Sequence, residues 1–163
     1  MSVKITDGRP YMDQIRKLIK EYTNRLGRDL SFQHLDEELK NPEKKYTPPL
    51  GEILVAVDEN GKVHGMVAYH RLSEKCCEMK RLYVQPETRG EHLGSKLVSE
   101  IIGHAGKAGY QEMVLDTIRP LQSAIHLYHE YGFTECPAYY DNPMDDVIYM
   151  KKDLIEKGRT ETQ

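Results

Sequence analysis

The sequence feature that most constrains the fold is a helical segment between two β-like segments. Cys77–Val84 has the alternation of a strand, and Met113–Leu115 is a short apolar run. Between them, apolar residues recur at helical spacing from Leu93 to Ala105. Two strands joined by one helix form a βαβ unit, in which the strands are parallel and the crossover is right-handed. The sequence therefore predicts a parallel strand pair covered by a helix.

The side chains of the first strand should divide between the two faces of the sheet, because successive strand residues point in opposite directions. One face should carry Cys77, Met79, Arg81 and Tyr83, and the other Glu78, Lys80, Leu82 and Val84. The turn-forming run Gln85-Pro86-Glu87 should then end the strand.

The other segments add antiparallel strands and further helices. Ile53–Val57 and Val63–His70 flank a turn that contains Asn60-Gly61, a pair typical of tight hairpins. Apolar spacing predicts three more helices, which are Tyr11–Leu26, Ser31–Leu39 and Leu121–Tyr131. Short strands are predicted at Val3–Ile5 and Val147–Met150. The predicted fold class is α/β, of the α+β kind, with a mixed sheet covered by helices.

Length and charge limit what the chain can be. Its 163 residues predict one domain, 1–163, in which the polar segment 157–163 is a flexible tail. A net charge of −3 supplies no general attraction for nucleic acid, so no nucleic-acid partner is expected. The apolar runs are too short to cross a membrane, and the N-terminus has no signal-peptide pattern. We therefore expect a cytoplasmic protein without a membrane partner.

Cysteine and histidine do not form a metal pattern. Cys76, Cys77 and Cys136 make neither an even disulfide set nor a Cys-x-x-Cys pair, and reduced thiols are expected. His126 and His129 are three apart on a predicted helix, but no further residue completes a ligand set. We therefore predict no metal site.

The most informative segment is the turn Arg89–Gly94, which follows a strand and opens directly into a helix. Such a turn offers unpaired N–H groups and the positive end of the helix dipole, so it is suited to an anion. Its spacing matches neither the Walker A loop nor the dinucleotide-binding glycine pattern. On the spacing alone, an ordinary strand-to-helix turn stays an alternative.

Two motifs resemble one family. Arg89-Gly90-Glu91-His92-Leu93-Gly94 resembles the [Gln/Arg]-x-x-Gly-x-[Gly/Ala] pyrophosphate loop of the GNAT acyl-CoA N-acyltransferases. Ala124–Phe133 resembles the Ala-x-x-Leu-Tyr-x-x-x-Gly-Phe segment of that family. The resemblance is clear over Glu52–Phe133. Leu115-Asp116-Thr117 and Tyr139–Pro143 further resemble a bacterial subgroup.

The resemblance implies a fold, an activity and a cofactor site. The fold is a mostly antiparallel sheet with one splayed parallel strand pair and helices on both faces. The activity is transfer of an acetyl group from acetyl-CoA, used as co-substrate without a metal, to a primary amine of a small molecule or peptide, which attacks the thioester directly. The residues implied in coenzyme A binding are Leu82, Tyr83, Val84, Arg89, Gly90, Glu91, His92, Leu93, Gly94, Ser95, Ser123 and Tyr128.

The resemblance also implies catalytic roles. Tyr128 matches the family's general acid toward the departing thiolate. Ordinary pKa values of about 10 for Tyr and 8.5 for a thiol make full proton transfer uphill by about 2 kcal/mol, so Tyr128 must be acidified or act by hydrogen bonding. Glu78 is a candidate general base, because it lies on the strand that leads to the splay. A solvated strand carboxylate is the alternative for Glu78.

Two departures from the family pattern concern the cofactor contacts. His92 stands where the loop usually has Gly, and Leu121 stands where many members carry an Asn that bonds the coenzyme arm. That contact, if it is made in this chain, must come from another residue, such as Gln122 or Ser123.

The resemblance implies that the acceptor amine lies between the N-terminal helices and the C-terminal strands. Here these segments are Tyr22–Leu39 and the loops Tyr46–Pro49 and Tyr139–Pro143. Other functional hypotheses are a non-catalytic acyl-CoA sensor and a nucleotide-binding α/β domain. The resemblance also allows a homodimer.

Overall fold

The computed structural model describes residues 2–27, 46, 48, 50–88 and 92–155. The predicted helix Ser31–Leu39 and the predicted tail 157–163 lie outside the described residues. Most of the loop around Tyr46 and the loop residues Arg89–Glu91 also lie outside them.

The described residues form seven strands and three helices. The strands are β1 (Val3–Asp7), β2 (Gly51–Asp58), β3 (Val63–Arg71), β4 (Cys76–Val84), β5 (Glu112–Ile118), β6 (Thr134–Glu135) and β7 (Val147–Asp153). The helices are α1 (Met12–Leu26), α2 (Leu93–Lys107) and α3 (Gln122–Glu130), with short 3-10 turns at Arg9–Tyr11 and Pro86–Thr88. None of these helices combines the length and apolar character that a membrane span needs.

The strands make one sheet in the order β1-β2-β3-β4-β5-β7-β6. Only β4 and β5 pair in parallel, and every other pair of neighbours is antiparallel. Helix α2 connects the two parallel strands, as the βαβ pattern predicted. The predicted fold class, a mixed and mostly antiparallel sheet with one splayed parallel pair, is confirmed; β6 had no prediction.

The sheet separates two apolar cores, because its strands present side chains to both faces. Helices α2 and α3 cover one face, where Leu97, Ile101 and Phe133 are fully buried. Helix α1 covers the other face through Ile15 and Ile19. Helices therefore lie on both faces, as predicted.

The predicted facing of the β4 side chains is wrong beyond Arg81, for Leu82, Tyr83 and Val84. A register shift in the β3–β4 pairing falls where Arg81 adopts a left-handed backbone with φ +62°. Such a β-bulge inserts one extra residue, and the facing of every later residue reverses. Tyr83 consequently packs in the α1 core, whereas Cys77 and Met79 lie in the α2 core.

Gly65 sits opposite Val84 at the end of β4 and leaves no room for a side chain. A Cβ atom there would lie 3.0 Å from the carbonyl oxygen of Tyr83 and 3.2 Å from Leu97 Cδ1. We expect Gly65→Ala to lower the free energy of unfolding by about 1–3 kcal/mol, because a backbone atom must move. Denaturant unfolding measures this change in the free energy of unfolding.

Gly103→Ala is the matched control, because nothing lies within 4 Å of the added Cβ on α2. It should stabilise the protein by up to about 1 kcal/mol through helix propensity. Equal stability of the two variants would contradict the close approach at Gly65.

Candidate active site

The site is built on the divergence of β4 and β5. The two strands pair at only three positions, Cys76↔Glu112, Cys77↔Met113 and Glu78↔Val114. Beyond Glu78 on β4 and Val114 on β5 the two strands no longer pair. The structure describes both strands in full. The gap opens at the carboxyl ends of the strands, which is where α/β sheets commonly bind ligands.

Two connected spaces lie at this gap, which we call the outer cleft and the inner cavity. The outer cleft, of about 520 Å³, is lined by Tyr22, Arg25, Leu26, Leu82, Tyr83, Val84, His92, Leu93, Gly94, Pro120, Leu121, Gln122, Ser123, Ala124 and Leu127. The inner cavity, of about 80 Å³, is lined by Tyr22, Leu26, Met79, Lys80, Arg81, Leu82, Asp116, Thr117, Ile118, Leu121, Ala124, Tyr128 and Met144. The two spaces adjoin, because they share the wall residues Tyr22, Leu26, Leu82, Leu121 and Ala124.

Seven residues predicted for coenzyme binding line the outer cleft, and these are Leu82, Tyr83, Val84, His92, Leu93, Gly94 and Ser123. Tyr128 lines the inner cavity instead. The Ser95 hydroxyl turns to the Tyr131 hydroxyl at 2.6 Å and does not line either space. Arg89, Gly90 and Glu91 lie outside the described residues.

The start of α2 carries an unusual backbone. His92 precedes the helix in the left-handed region, with φ +59° and an exposed side chain. L-residues pay about 1–2 kcal/mol in that conformation, whereas Gly adopts it freely. His92 therefore occupies a position whose backbone favours glycine.

Tyr128 on α3 is almost completely buried from solvent. It is 7% exposed, and its ring meets Phe133 edge-on at 5.9 Å. Its hydroxyl makes no hydrogen bond to any described residue. Burial raises the pKa of Tyr128, and the nearby Tyr22 and Asp116 add to this rise. The phenol is thus a hydrogen-bond donor that keeps its proton.

Glu78 lies deeper in the sheet and both its oxygens are engaged. It is 5% exposed, with Oε1 2.6 Å from His70 Nε2 and Oε2 accepting from the Tyr139 hydroxyl at 2.5 Å. Burial alone would raise the pKa of Glu78, but these two partners and Lys80 lower it to about 2. A carboxylate of that pKa takes a proton from an ammonium group poorly. Glu78 does not line the inner cavity.

Asp116 is a cavity residue to which the sequence analysis gave no role. It follows Val114 and Leu115 on β5, just past the last paired position. Its Oδ2 accepts hydrogen bonds from the Tyr140 hydroxyl and from Asn142 Nδ2, the latter at 3.2 Å. A polar residue at the carboxyl end of a short apolar strand is the signal that could have indicated it.

Comparison with known proteins places this geometry in a family. The sequence model of the acetyltransferase (GNAT) family matches residues 12–133. An uncharacterised N-acetyltransferase of Schizosaccharomyces pombe is 49% identical over 144 residues, which cover 88% of each chain. The chain belongs to the GNAT acetyltransferase family. It is therefore an acyl-CoA-dependent acetyltransferase.

Solved structures share the fold. A GNAT-family acetyltransferase from Staphylococcus aureus Mu50 superimposes with a TM-score of 0.78 at 21% identity, over 94% of this chain and 100% of that chain. A GNAT phosphinothricin acetyltransferase from Sinorhizobium meliloti, solved with AcCoA, gives 0.65 at 18% identity, over 94% of this chain and 89% of that chain. The GNAT resemblance is confirmed, and the bacterial subgroup stays a prediction.

Within the described ranges, no group of three or more His, Cys, Asp and Glu side chains is placed to hold a metal ion. His126 pairs with Glu130 at 2.9 Å on the surface of α3.

Gly94 allows a direct test of the outer cleft. A Cβ atom there would meet Leu127 Cδ2 at 3.6 Å and Val84 Cγ2 at 3.9 Å, which are ordinary contacts. Gly94→Ala should therefore leave acetyl-CoA affinity almost unchanged. Gly94→Leu should raise the Kd about tenfold or more, because its side chain extends into the cleft. Calorimetric titration measures both, and equal Kd values would show that the cleft is not the coenzyme site.

His92 allows a test of the backbone at the start of α2. His92→Gly should raise the free energy of unfolding by roughly 0.5–1 kcal/mol, because the left-handed conformation no longer strains a side chain. His92→Ala keeps the Cβ atom and should bring no gain. If the free energy of unfolding rose equally in both variants, the left-handed backbone at position 92 would not be strained.

Proposed function

We propose that this GNAT enzyme transfers an acetyl group from acetyl-CoA to a primary amine of a small molecule or peptide, by direct attack of the amine on the thioester. The observation that carries the proposal is the meeting of the outer cleft and the inner cavity at the β4–β5 gap. Such an arrangement suits a long donor that enters from one side and an acceptor from the other. Tyr128 and Asp116 both line the cavity at this point.

The coenzyme is proposed to lie along the outer cleft. Its diphosphate would bind at the start of α2, where Arg89, Gly90 and Glu91 join His92, Leu93, Gly94 and the backbone of Ser95. The pantetheine arm would follow Leu82–Val84, since the pairing of β4 with β5 ends at Glu78 and Val114. A main-chain N–H of Tyr83 or Val84 would hold the thioester oxygen as negative charge develops on it. Ser123 and Gln122 border the opposite wall and would take the place of the usual Asn.

The acceptor amine must lose a proton before it attacks. An alkylamine with a pKa of about 10.4 costs about 4.6 kcal/mol to deprotonate at pH 7, and an α-amine near 8 costs about 1.4 kcal/mol. A carboxylate in the cavity would supply that deprotonation where a solvent-filled cleft would not. This requirement favours acceptors small enough, or thin enough, to place the nitrogen in the cavity.

Tyr128 is proposed to stabilise the departing sulfur. Its raised pKa makes proton transfer to the thiolate more costly than for an ordinary tyrosine. A hydrogen bond from the phenol to the sulfur needs no such transfer, and hydrogen bonds to charged groups contribute about 1.5–3 kcal/mol. We therefore assign Tyr128 the role of hydrogen-bond donor.

The test of the function is an acceptor screen with thiol detection. Purified protein and acetyl-CoA are mixed with ethylamine, 2-phenylethylamine, glycinamide and Nα-acetyl-lysine amide, and released thiol is measured. Amine-dependent thiol release supports the enzyme. Tight acetyl-CoA binding without thiol release would instead support the acyl-CoA sensor. A thermal shift with ATP or NAD but not with coenzyme A would favour the nucleotide-binding hypothesis.

The homodimer, the cytoplasmic location and the single domain stay predictions.

Tyr128→Phe tests the role of the phenol. The variant should lower kcat about 10- to 100-fold, because the sulfur loses one charge-assisted hydrogen bond. The Kd for acetyl-CoA should stay within about twofold of the wild type, since the ring still packs on Phe133. Tyr131→Phe is the matched control, because Tyr131 lines neither space. An unchanged kcat in Tyr128→Phe would remove Tyr128 from catalysis.

A further inference from the structure

We propose that Asp116 is the general base that takes the proton from the acceptor's ammonium group, and that Tyr140 and Asn142 are positioning residues that hold this carboxylate toward the cavity. This inference rests on the proposed function and names the base for the same site. It replaces Glu78, the base candidate suggested by the sequence.

Asp116 lies on β5 just past the point where this strand stops pairing with β4. Val114 is the last β5 residue paired with β4, and Asp116 lies two residues further, on the same face of the strand. The side chain therefore emerges where the gap begins and lines the inner cavity. Tyr128 lines the same cavity from α3. A nitrogen between these two side chains could reach both the base and the thioester.

The two carboxylate oxygens of Asp116 have different surroundings. Oδ2 accepts from the Tyr140 hydroxyl and from Asn142 Nδ2. Asn142 Nδ2 also donates to the Tyr140 hydroxyl oxygen at 2.7 Å, so these two side chains support each other. Oδ1 makes no hydrogen bond to any described residue. One oxygen is therefore fixed by the protein, and the other is left for an N–H of the acceptor.

The loop that holds Oδ2 is itself well anchored. The rings of Tyr139, Tyr140 and Tyr149 pack against one another with centroids 5.3–5.7 Å apart. The Tyr149 hydroxyl donates to the carbonyl oxygen of Tyr140 at 3.0 Å, which ties the loop to β7. Tyr149 also lies directly opposite Asp116 in the β5–β7 pairing. This packing limits the positions that the Tyr140 hydroxyl can take.

Charged and titratable groups face Asp116 from every element around it. They are Glu78, Lys80 and the cavity-lining Arg81 on β4, Tyr139 and Tyr140 in the loop, Tyr149 on β7, Tyr22 on α1 and Tyr128 on α3. Burial raises the pKa of Asp116, and Glu78 adds to the rise, while Tyr140, Lys80 and Asn142 oppose it. The net pKa is above the ordinary value, which suits a group that must accept a proton.

Glu78 differs from Asp116 in its hydrogen bonds, its pKa and its position relative to the cavity. Both of its oxygens are engaged by His70 and Tyr139, its pKa is about 2, and it lies outside the cavity lining. Its negative charge nevertheless faces Asp116 and raises that residue's pKa. Glu78 therefore acts on Asp116 as a nearby charge.

The acceptor R–NH3⁺ transfers one proton to Asp116 Oδ1, which breaks an N–H bond and forms an O–H bond. The nitrogen lone pair then forms a bond to the thioester carbon, and the C–S bond breaks with its electrons on sulfur. The second proton leaves the nitrogen and ends on the thiolate, giving the amide and free thiol. Asp116 later releases its proton to solvent.

Asp116→Asn tests the base, because it keeps the shape of the side chain and removes its ability to accept a proton. With Nα-acetyl-lysine amide at about pH 7, kcat/KM should fall about 100- to 1000-fold. The loss should shrink as pH approaches the pKa of the amine, about 10.4, since the amine is then already neutral. Glycinamide, with a pKa near 8, should show a smaller loss at about pH 7. Asp145→Asn, in the exposed part of the same loop, is the matched control and should retain wild-type activity.

Tyr140→Phe tests the positioning role. The Tyr140 hydrogen bond lowers the pKa of Asp116, so its removal should raise that pKa. Activity depends on the ionised carboxylate, and the acid limb of the kcat/KM profile should therefore move to higher pH. A merely structural role would lower kcat/KM equally at all pH values and would contradict the proposal.

The outcomes separate this inference from the proposed function. Thiol release by the wild type together with a pH-independent, amine-independent loss in Asp116→Asn would overturn Asp116 as the base and leave the acetyltransferase function standing. No thiol release by the wild type with any amine would overturn the proposed function. Acetyl-CoA Kd and melting temperature close to the wild type show that the Asp116→Asn protein is folded; if it is not, the pH shift in Tyr140→Phe decides the question.

Discussion

The site depends on the parting of two parallel strands after only three paired positions. A continued β4–β5 ladder would use the backbone groups of β4 and would fill the space now present as cleft and cavity. Past the last paired position, a bulge at Arg81 reverses the facing of the last residues of β4. Gly65 lets β3 and α2 approach this distorted end closely. The space that forms the candidate site thus depends on a local irregularity of the sheet.

The architecture could be predicted from sequence because it follows from local patterns. The hairpin turn at Asn60-Gly61, the helical spacing of Leu93–Ala105 and the βαβ rule each act over a short stretch of chain. The bulge at Arg81 could not be predicted in this way, because neither Gly nor Pro marks it. The facing of Tyr83 was wrong for that reason.

The lining of the outer cleft was easier to predict from the sequence than that of the inner cavity. The residues at the end of β4 and the start of α2 are neighbours in sequence, so a motif could indicate them together. Asp116 depends on Tyr140, which is 24 residues away, and Glu78 depends on Tyr139, which is 61 residues away. Sequence spacing shows that carboxylates are present near the gap. Only the folded loop shows which oxygens are already bound.

Tyr139 and Tyr140 are adjacent in sequence but bond to different strands, Tyr139 to Glu78 on β4 and Tyr140 to Asp116 on β5. This dipeptide bridges the sheet at the very level where main-chain pairing stops. Side-chain hydrogen bonds from one loop thus link the two strands where their ladder hydrogen bonds end. Displacement of this loop would therefore remove a hydrogen bond from both carboxylates at once.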